Sequence, residues 1–170
     1  EMGALASGRT SPIVDWLRAL ARREADASGA PVAVIGMCFS GGFALGSILE
    51  PTVAAAVISQ PAVPFGFGRT RARDLAVSDE DLARIQAERG AGACLRVLRY
   101  ARDWKSPRVR FERLAAEFPA AETHEVPTER SSDHSVLRDA ARATDGELRA
   151  VFDATAAFLD RHLRPGSADV

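Results

Sequence analysis

The sequence predicts an α/β fold, a mostly parallel sheet with helices on both faces. Three observations predict it. Short apolar runs at residues 32–35, 53–59 and 94–100 are separated by longer stretches with helical periodicity. The first two runs lack hydrophobic/polar alternation, as do strands buried on both faces of a parallel sheet. Helix and strand alternate through most of the chain, which is the pattern of βαβ units.

The elements follow in order. Ser11-Pro12 opens the first helix, with a capping Ser and then Pro at the first helical position. Ile13, Trp16, Leu17 and Leu20 form its inward stripe, and Ser28-Gly29-Ala30-Pro31 stops it. Val32-Ala33-Val34-Ile35 reads as a strand in the sheet interior. Gly36-Met37-Cys38-Phe39-Ser40 is a sharp turn, and Gly41-Gly42-Phe43-Ala44-Leu45 begins a helix that ends at Glu50-Pro51. Val53–Ser59 is a second buried strand. Residues 61–73 are rich in Pro and Gly and read as a long solvated connection. Ser78 caps a helix carrying Leu82 and Ile85, closed by Gly90-Ala91-Gly92. Residues 94–100 alternate in part, which places this strand near an edge. Ser106-Pro107 repeats the Ser-Pro cap, and Phe111, Leu114, Ala115 and Phe118 are the stripe that follows. Glu122–Val126 is a weak fourth strand, and a polar stretch runs on to His134. Thr144-Asp145-Gly146-Glu147 reads as a capping box for a last helix with Leu148, Val151, Phe152, Thr155, Phe158 and Leu159 inward.

The 170 residues are 46% hydrophobic and 26% charged, the composition of one globular domain spanning 1–170. A net charge of −1 gives no electrostatic reason for nucleic-acid or membrane affinity. No apolar run approaches the ~18 residues of a transmembrane helix. Two cysteines, Cys38 and Cys94, lack paired spacing. They suggest neither disulfide nor zinc site, and fit a reducing, cytoplasmic compartment. No cofactor or metal is expected.

Strand, turn and helix around Cys38 form the layout of a nucleophile elbow with Cys at its apex. Such a turn strains the nucleophile's backbone and presses the residues two before and two after it together, a demand that Gly36 and Ser40 meet. In a parallel sheet the site lies at the carboxyl ends of strands. Cys38 follows the first strand, Asp103 the third and His134 the fourth. An imidazole and a helix N-terminus lower a thiol's pKa. His134 would serve Cys38, Asp103 would orient His134, and the Phe39 amide would donate to an oxyanion. Asp133 is a rival acid, but it is too close in sequence to reach the His134 ring easily. His124, within a strand, and His162, in a last helical turn, have structural explanations, and Cys94 reads as core.

Residues 35–42, Ile-Gly-Met-Cys-Phe-Ser-Gly-Gly, resemble the elbow of the dienelactone hydrolase family, α/β-hydrolases with a Cys nucleophile. Residues 100–107 resemble that family's acid loop, and Asp133-His134-Ser135-Val136-Leu137-Arg138 its His segment. The resemblance implies hydrolysis of a small carboxylic ester or lactone through Cys38, Asp103 and His134. It also implies that Arg138, one helical turn after the His, binds a substrate carboxylate. The family's sheet has strands upstream of the elbow, a loop supplying a second oxyanion amide, an acidic residue near the resting Cys and a second substrate Arg. None is recognisable here, so the resemblance implies the C-terminal portion of the fold, with scope for self-association. A non-catalytic remnant serving in binding or assembly is the alternative reading. A thiol redox role ranks last, for want of a resolving Cys.

Overall fold

The computed structural model describes residues 9–63 and 68–164. Their sheet has four strands, β1 (Val32–Met37), β2 (Val53–Ser59), β3 (Leu95–Tyr100) and β4 (Glu122–Val126), in the order β1-β2-β3-β4 and all parallel. Parallel neighbours need crossovers. These contain α2 (Gly41–Ser47), then α3 (Arg69–Arg73) and α4 (Asp79–Arg89), then α5 (Arg108–Glu117). The sheet is preceded by α1 (Ile13–Ser28) and followed by α6 (Val136–Arg142) and α7 (Gly146–Leu163).

The pleat divides the core in two. Val53, Ala56, Ile58, Leu95 and Val97 meet Ala21, Leu45, Ile48, Leu82, Ile85, Leu114 and Phe118 on one face, under α1, α2, α4 and α5. Ala55, Val57, Leu98, Tyr100 and Val126 meet Val136, Ala140, Val151 and Phe158 on the other, under α6 and α7. A register shift between Val32 and Ala33 passes over Ala54, so Val53 and Ala56 share a face. Among the described residues no helix is long and apolar enough to cross a membrane.

Two strand positions differ from expectation. β1 is an edge strand, paired with β2 alone, and Ile35 is 49% exposed. Its uniformly apolar sequence suits an interior strand, but its far edge has no neighbour among the described residues. β3 is interior and all six of its residues are buried. Its apparent alternation comes from Arg96 and Arg99, which are themselves buried and paired. Arg96 Nε donates to Thr155 Oγ1 (3.0 Å) and Nη1 to Glu122 (2.7 Å); Arg99 bonds Glu125 and the Ser106 carbonyl.

Helix α1 is also turned from its expected face. Val14, Ala21 and Ala25 are buried, while Trp16 is 59% exposed. Small residues let α1 approach α2 closely: a Cβ at Gly46 would lie 3.0 Å from Val14 Cγ1. The Arg18 guanidinium fixes that face by donating twice to the Gly46 carbonyl (3.1 and 2.8 Å). Three helix starts differ from expectation, and α1 begins from Pro12 with no side-chain cap. Ser106 Oγ is buried without a partner, and α5 starts from Pro107 with no side-chain cap. Helix α7 starts from Asp145, again uncapped, and Glu147 bonds His124 instead (3.3 Å). Ser78 does cap, accepting the Asp81 N–H (3.1 Å). The connection read as irregular over 61–73 contains the short α3; its residues 64–67 lie outside the described set.

Candidate active site

β1 ends at Met37, a single 3-10 turn spans Cys38–Ser40, and α2 starts at Gly41. Cys38 has φ +58°, in the left-handed region. Such a conformation costs a non-glycine residue about 1–3 kcal/mol and persists only where its surroundings impose it. Here Ser40 Oγ accepts the Met37 N–H (2.9 Å) and donates to the Met37 carbonyl (2.8 Å). The Cys38 carbonyl accepts from the Gly41 N–H and from the Ala62 N–H (3.0 Å). The turn is so tight that a Cβ on Gly36 would lie 2.3 Å from the Ser40 carbonyl oxygen and 2.7 Å from Ala44 Cβ.

Asp103 sits three residues beyond β3 and its side chain is fully buried. Its Oδ1 accepts the N–H groups of Lys105 (2.9 Å) and Ser106 (3.3 Å), which folds the loop around the carboxylate. That leaves Oδ2 aimed outward at His134 Nδ1, 2.6 Å away. His134 stands in the connection from β4 to α6. Its Nε2 is buried with no hydrogen-bond partner, and the Cys38 thiol is the second group, after Asp103, that raises the ring.

The electrostatics follow from this chain of contacts. The Asp103 carboxylate, seconded by Cys38, raises His134 to about 9 against the opposing effect of burial. Cys38 is lowered, first by His134, then by the Phe39 N–H and by Lys105, with burial opposing. Cys94 moves the other way, raised by burial in the core beside β3. Cys38 and His134 are therefore biased toward a thiolate–imidazolium pair, and Cys94 toward a neutral thiol.

The structure thus brings Cys38, Asp103 and His134 together, with the Phe39 N–H among the groups that lower the thiol. Arg138 lies one helical turn on and lines, with His134, Lys105 and Tyr100, an open groove of about 940 Å³. Its guanidinium is engaged by Asp139 (3.0 and 2.8 Å). The rival groups lie elsewhere. Asp133 accepts from Thr128 Oγ1 and Arg130. His124 faces Glu147, and His162 packs tilted against the Phe158 ring, with centroids 4.7 Å apart. Among the described residues no cluster of His, Cys, Asp and Glu is suited to a metal ion.

Sequence reasoning passed over Lys105, two exposed aromatics and two arginines. Lys105 lowers Cys38, and its position directly after the acid loop's Trp was the available signal. Phe39 (51% exposed) and Trp104 (65% exposed) directly follow Cys38 and Asp103. Arg99 Nε donates to the Ser106 carbonyl (3.0 Å), so a buried cation braces the Asp103 loop. Arg110 is buried beside Gly41 and Gly42 beneath the elbow. Comparison with protein-family models, curated proteins and solved structures finds no match to this chain.

Proposed function

We propose that this chain is a dienelactone-hydrolase-like α/β hydrolase, cleaving small carboxylic esters or lactones through a Cys38-His134-Asp103 triad. One observation carries the reading. A single imidazole, His134, is bonded through Nδ1 to a buried carboxylate and coupled on its other side to a thiol held at positive φ where a strand turns into a helix. Strained backbone, perturbed acid–base groups and a neighbouring groove concentrate at functional sites.

The steps use these groups alone. The Cys38 thiolate attacks the carbonyl carbon; an S–C bond forms and the π electrons move to oxygen. The Phe39 N–H donates to that oxyanion. Collapse breaks the C–O bond, and His134 Nε2–H protonates the departing alkoxide, which in a lactone stays attached to the acyl group. Neutral His134 then takes a proton from water, the hydroxide attacks the thioester carbon, and the C–S bond breaks. The thiolate–imidazolium pair is restored, with one water consumed. Asp103 stabilises the imidazolium and fixes the ring's orientation throughout. Arg138, exchanging Asp139 for the ligand, would hold a substrate carboxylate in the groove.

The test is turnover of a chromogenic ester and a lactone by the wild-type chain and by Cys38→Ala. Turnover that disappears in Cys38→Ala, with a thioester trapped on Cys38 by mass spectrometry, supports the mechanism. Equal turnover by both proteins refutes it. One observation favours a second reading, a non-catalytic unit: β1, which ends just before Cys38, pairs with β2 alone among the described residues. No turnover by a folded wild-type chain across the panel would favour that reading. A Cys38–Cys94 redox pair is disfavoured by topology. Cys38 follows the carboxyl end of β1, whereas Cys94 precedes the amino end of β3, about 20 Å away at ~3.3 Å per residue.

A further inference from the structure

Arg110 is 1% exposed, in the first turn of α5. A guanidinium so deeply buried normally meets a carboxylate. This one meets backbone. Nε donates to the Asp74 carbonyl (2.7 Å), Nη1 to the Pro61 carbonyl (3.0 Å) and Nη2 to the Arg71 carbonyl (2.8 Å). All three acceptors belong to the connection between β2 and α4. The planar fork reaches these carbonyls from three separate nitrogens in fixed directions, whereas an ammonium would have to reach all three from one atom.

That connection touches the nucleophile. Ala62, next to Pro61, donates its N–H to the Cys38 carbonyl (3.0 Å). Pro61 packs on the start of α2, where a Cβ at Gly41 would lie 3.1 Å from Pro61 Cβ. Arg110 itself borders a gap of about 10 Å³ together with Gly41, Gly42 and Pro61. The path from guanidinium to strained residue is therefore short: Arg110, Pro61, Ala62, Cys38.

We propose that Arg110 is a positioning residue for Cys38, whose three-carbonyl clasp ties Pro61 to Arg71 and Asp74 and thereby holds the elbow in its left-handed conformation. The Cys38 and Asp74 charges both favour the Arg110 cation, which burial lowers to about 10, so the cation persists at neutral pH. The inference rests on the reading of Cys38 as an activated thiol, so the test reads thiol chemistry and not ester turnover.

The experiment follows iodoacetamide alkylation of Cys38 against pH by mass spectrometry, with Cys94 as the internal standard, in wild type, Arg110→Met and Arg110→Lys. In both variants the Cys38 rate at pH 7 is expected to fall about 3- to 10-fold and its midpoint to rise by up to about one unit, with Cys94 unchanged. Lysine keeps the charge but loses the fork, so the two variants should behave alike. Folded variants with the wild-type midpoint and rate overturn the proposal. So does an Arg110→Lys protein that matches wild type while Arg110→Met is slow, because charge alone would then suffice. If one variant fails to fold, the other decides. If neither folds, Arg110 serves the fold as a whole and the proposal fails. An ordinary Cys38 midpoint in the wild type itself would sink the activated-thiol reading first, so the two failures are distinguishable.

Discussion

Asp103→Asn removes one charge and leaves the rest of the loop standing, which makes it a sharp perturbation of the site. An Asn Oδ1 still accepts the Lys105 and Ser106 N–H groups, as the Asp103 oxygen does at 2.9 and 3.3 Å. What changes is the contact at 2.6 Å to His134 Nδ1. That carboxylate is the largest cause lifting His134 from 6.5 to about 9. At 1.36 kcal/mol per unit, the lift amounts to about 3 kcal/mol of preference for the imidazolium, most of it from Asp103 and the remainder from Cys38. An Asn amide would also donate to Nδ1 and force the proton onto Nε2, the wrong tautomer for a base facing Cys38. His134 should fall toward its ordinary value, and Cys38, without its counter-charge, should rise toward 9.0. We expect the midpoint for iodoacetamide alkylation of Cys38 to rise by about 1–2 units, and the rate at pH 7 to fall about 10- to 100-fold. Ester turnover should fall by about 10²- to 10⁴-fold. An unchanged alkylation midpoint in a folded Asp103→Asn protein would show that the carboxylate does not control the thiol, and the electrostatic argument would collapse.

Two further perturbations test the elbow and the buried pair. Gly36→Ala puts a methyl 2.3 Å from the Ser40 carbonyl oxygen, a backbone atom with little freedom to move. It should cost stability at the upper end of the ~1–3 kcal/mol typical of overpacking, and slow Cys38 alkylation as well. A wild-type melting curve with wild-type reactivity would mean the turn is looser than its geometry requires. The His134 bond to Asp103 has a defined pH dependence. His134 is raised from 6.5 to about 9 on folding, so its stabilising contribution is present in full below pH 6.5 and disappears as pH rises through about 9. In urea unfolding, the stability lost in His134→Gln relative to wild type should therefore be largest near pH 6 and shrink by pH 9.5. A gap that widens with pH would reverse the assigned sign.

The legible parts of the chain were those in which one local demand excludes most residues. Small residues at 36 and 40 around a Cys, between an apolar run and a helix, satisfy a steric requirement that few other folds impose, and the turn forms there. The topology rule then placed Asp103 and His134 at the same sheet edge as Cys38, because all three strands run parallel. Adjacency to His134 in sequence, not topology, ranked Asp133 below Asp103. What stayed illegible depended on partners distant in sequence. Arg96 and Arg99 looked like the polar half of an edge strand because nothing in residues 95–100 announces Glu122, Glu125 or Thr155. Trp16 looked inward, yet the shape of α2 selects the Val14, Ala21 and Ala25 face. Thr144 and Ser106 have cap-like sequences, but α7 and α5 start from Asp145 and Pro107, and neither start carries a side-chain cap.

The arginines show why a site can be read while its support cannot. A carboxylate beside an imidazole is a pair of side chains, and sequence order constrains both. A guanidinium holding carbonyls has partners that every residue possesses, so no residue type marks them. Arg99 reaches the Ser106 carbonyl and braces the turn that aims Asp103; Arg110 reaches three carbonyls and braces the connection behind Cys38. Each sits one connection away from a group whose geometry the chemistry needs, and on opposite sides of the ion-pair chain. Cys38 is strained and Asp103 is desolvated, so neither conformation is the local minimum of its own loop. Local bonds hold both, from Ser40 at the elbow and from the Lys105 and Ser106 N–H groups at Asp103, and each loop is also braced by a guanidinium from outside it. Buried forks that bind backbone support them without adding a carboxylate, whose negative charge near Cys38 would raise the thiol that the site lowers.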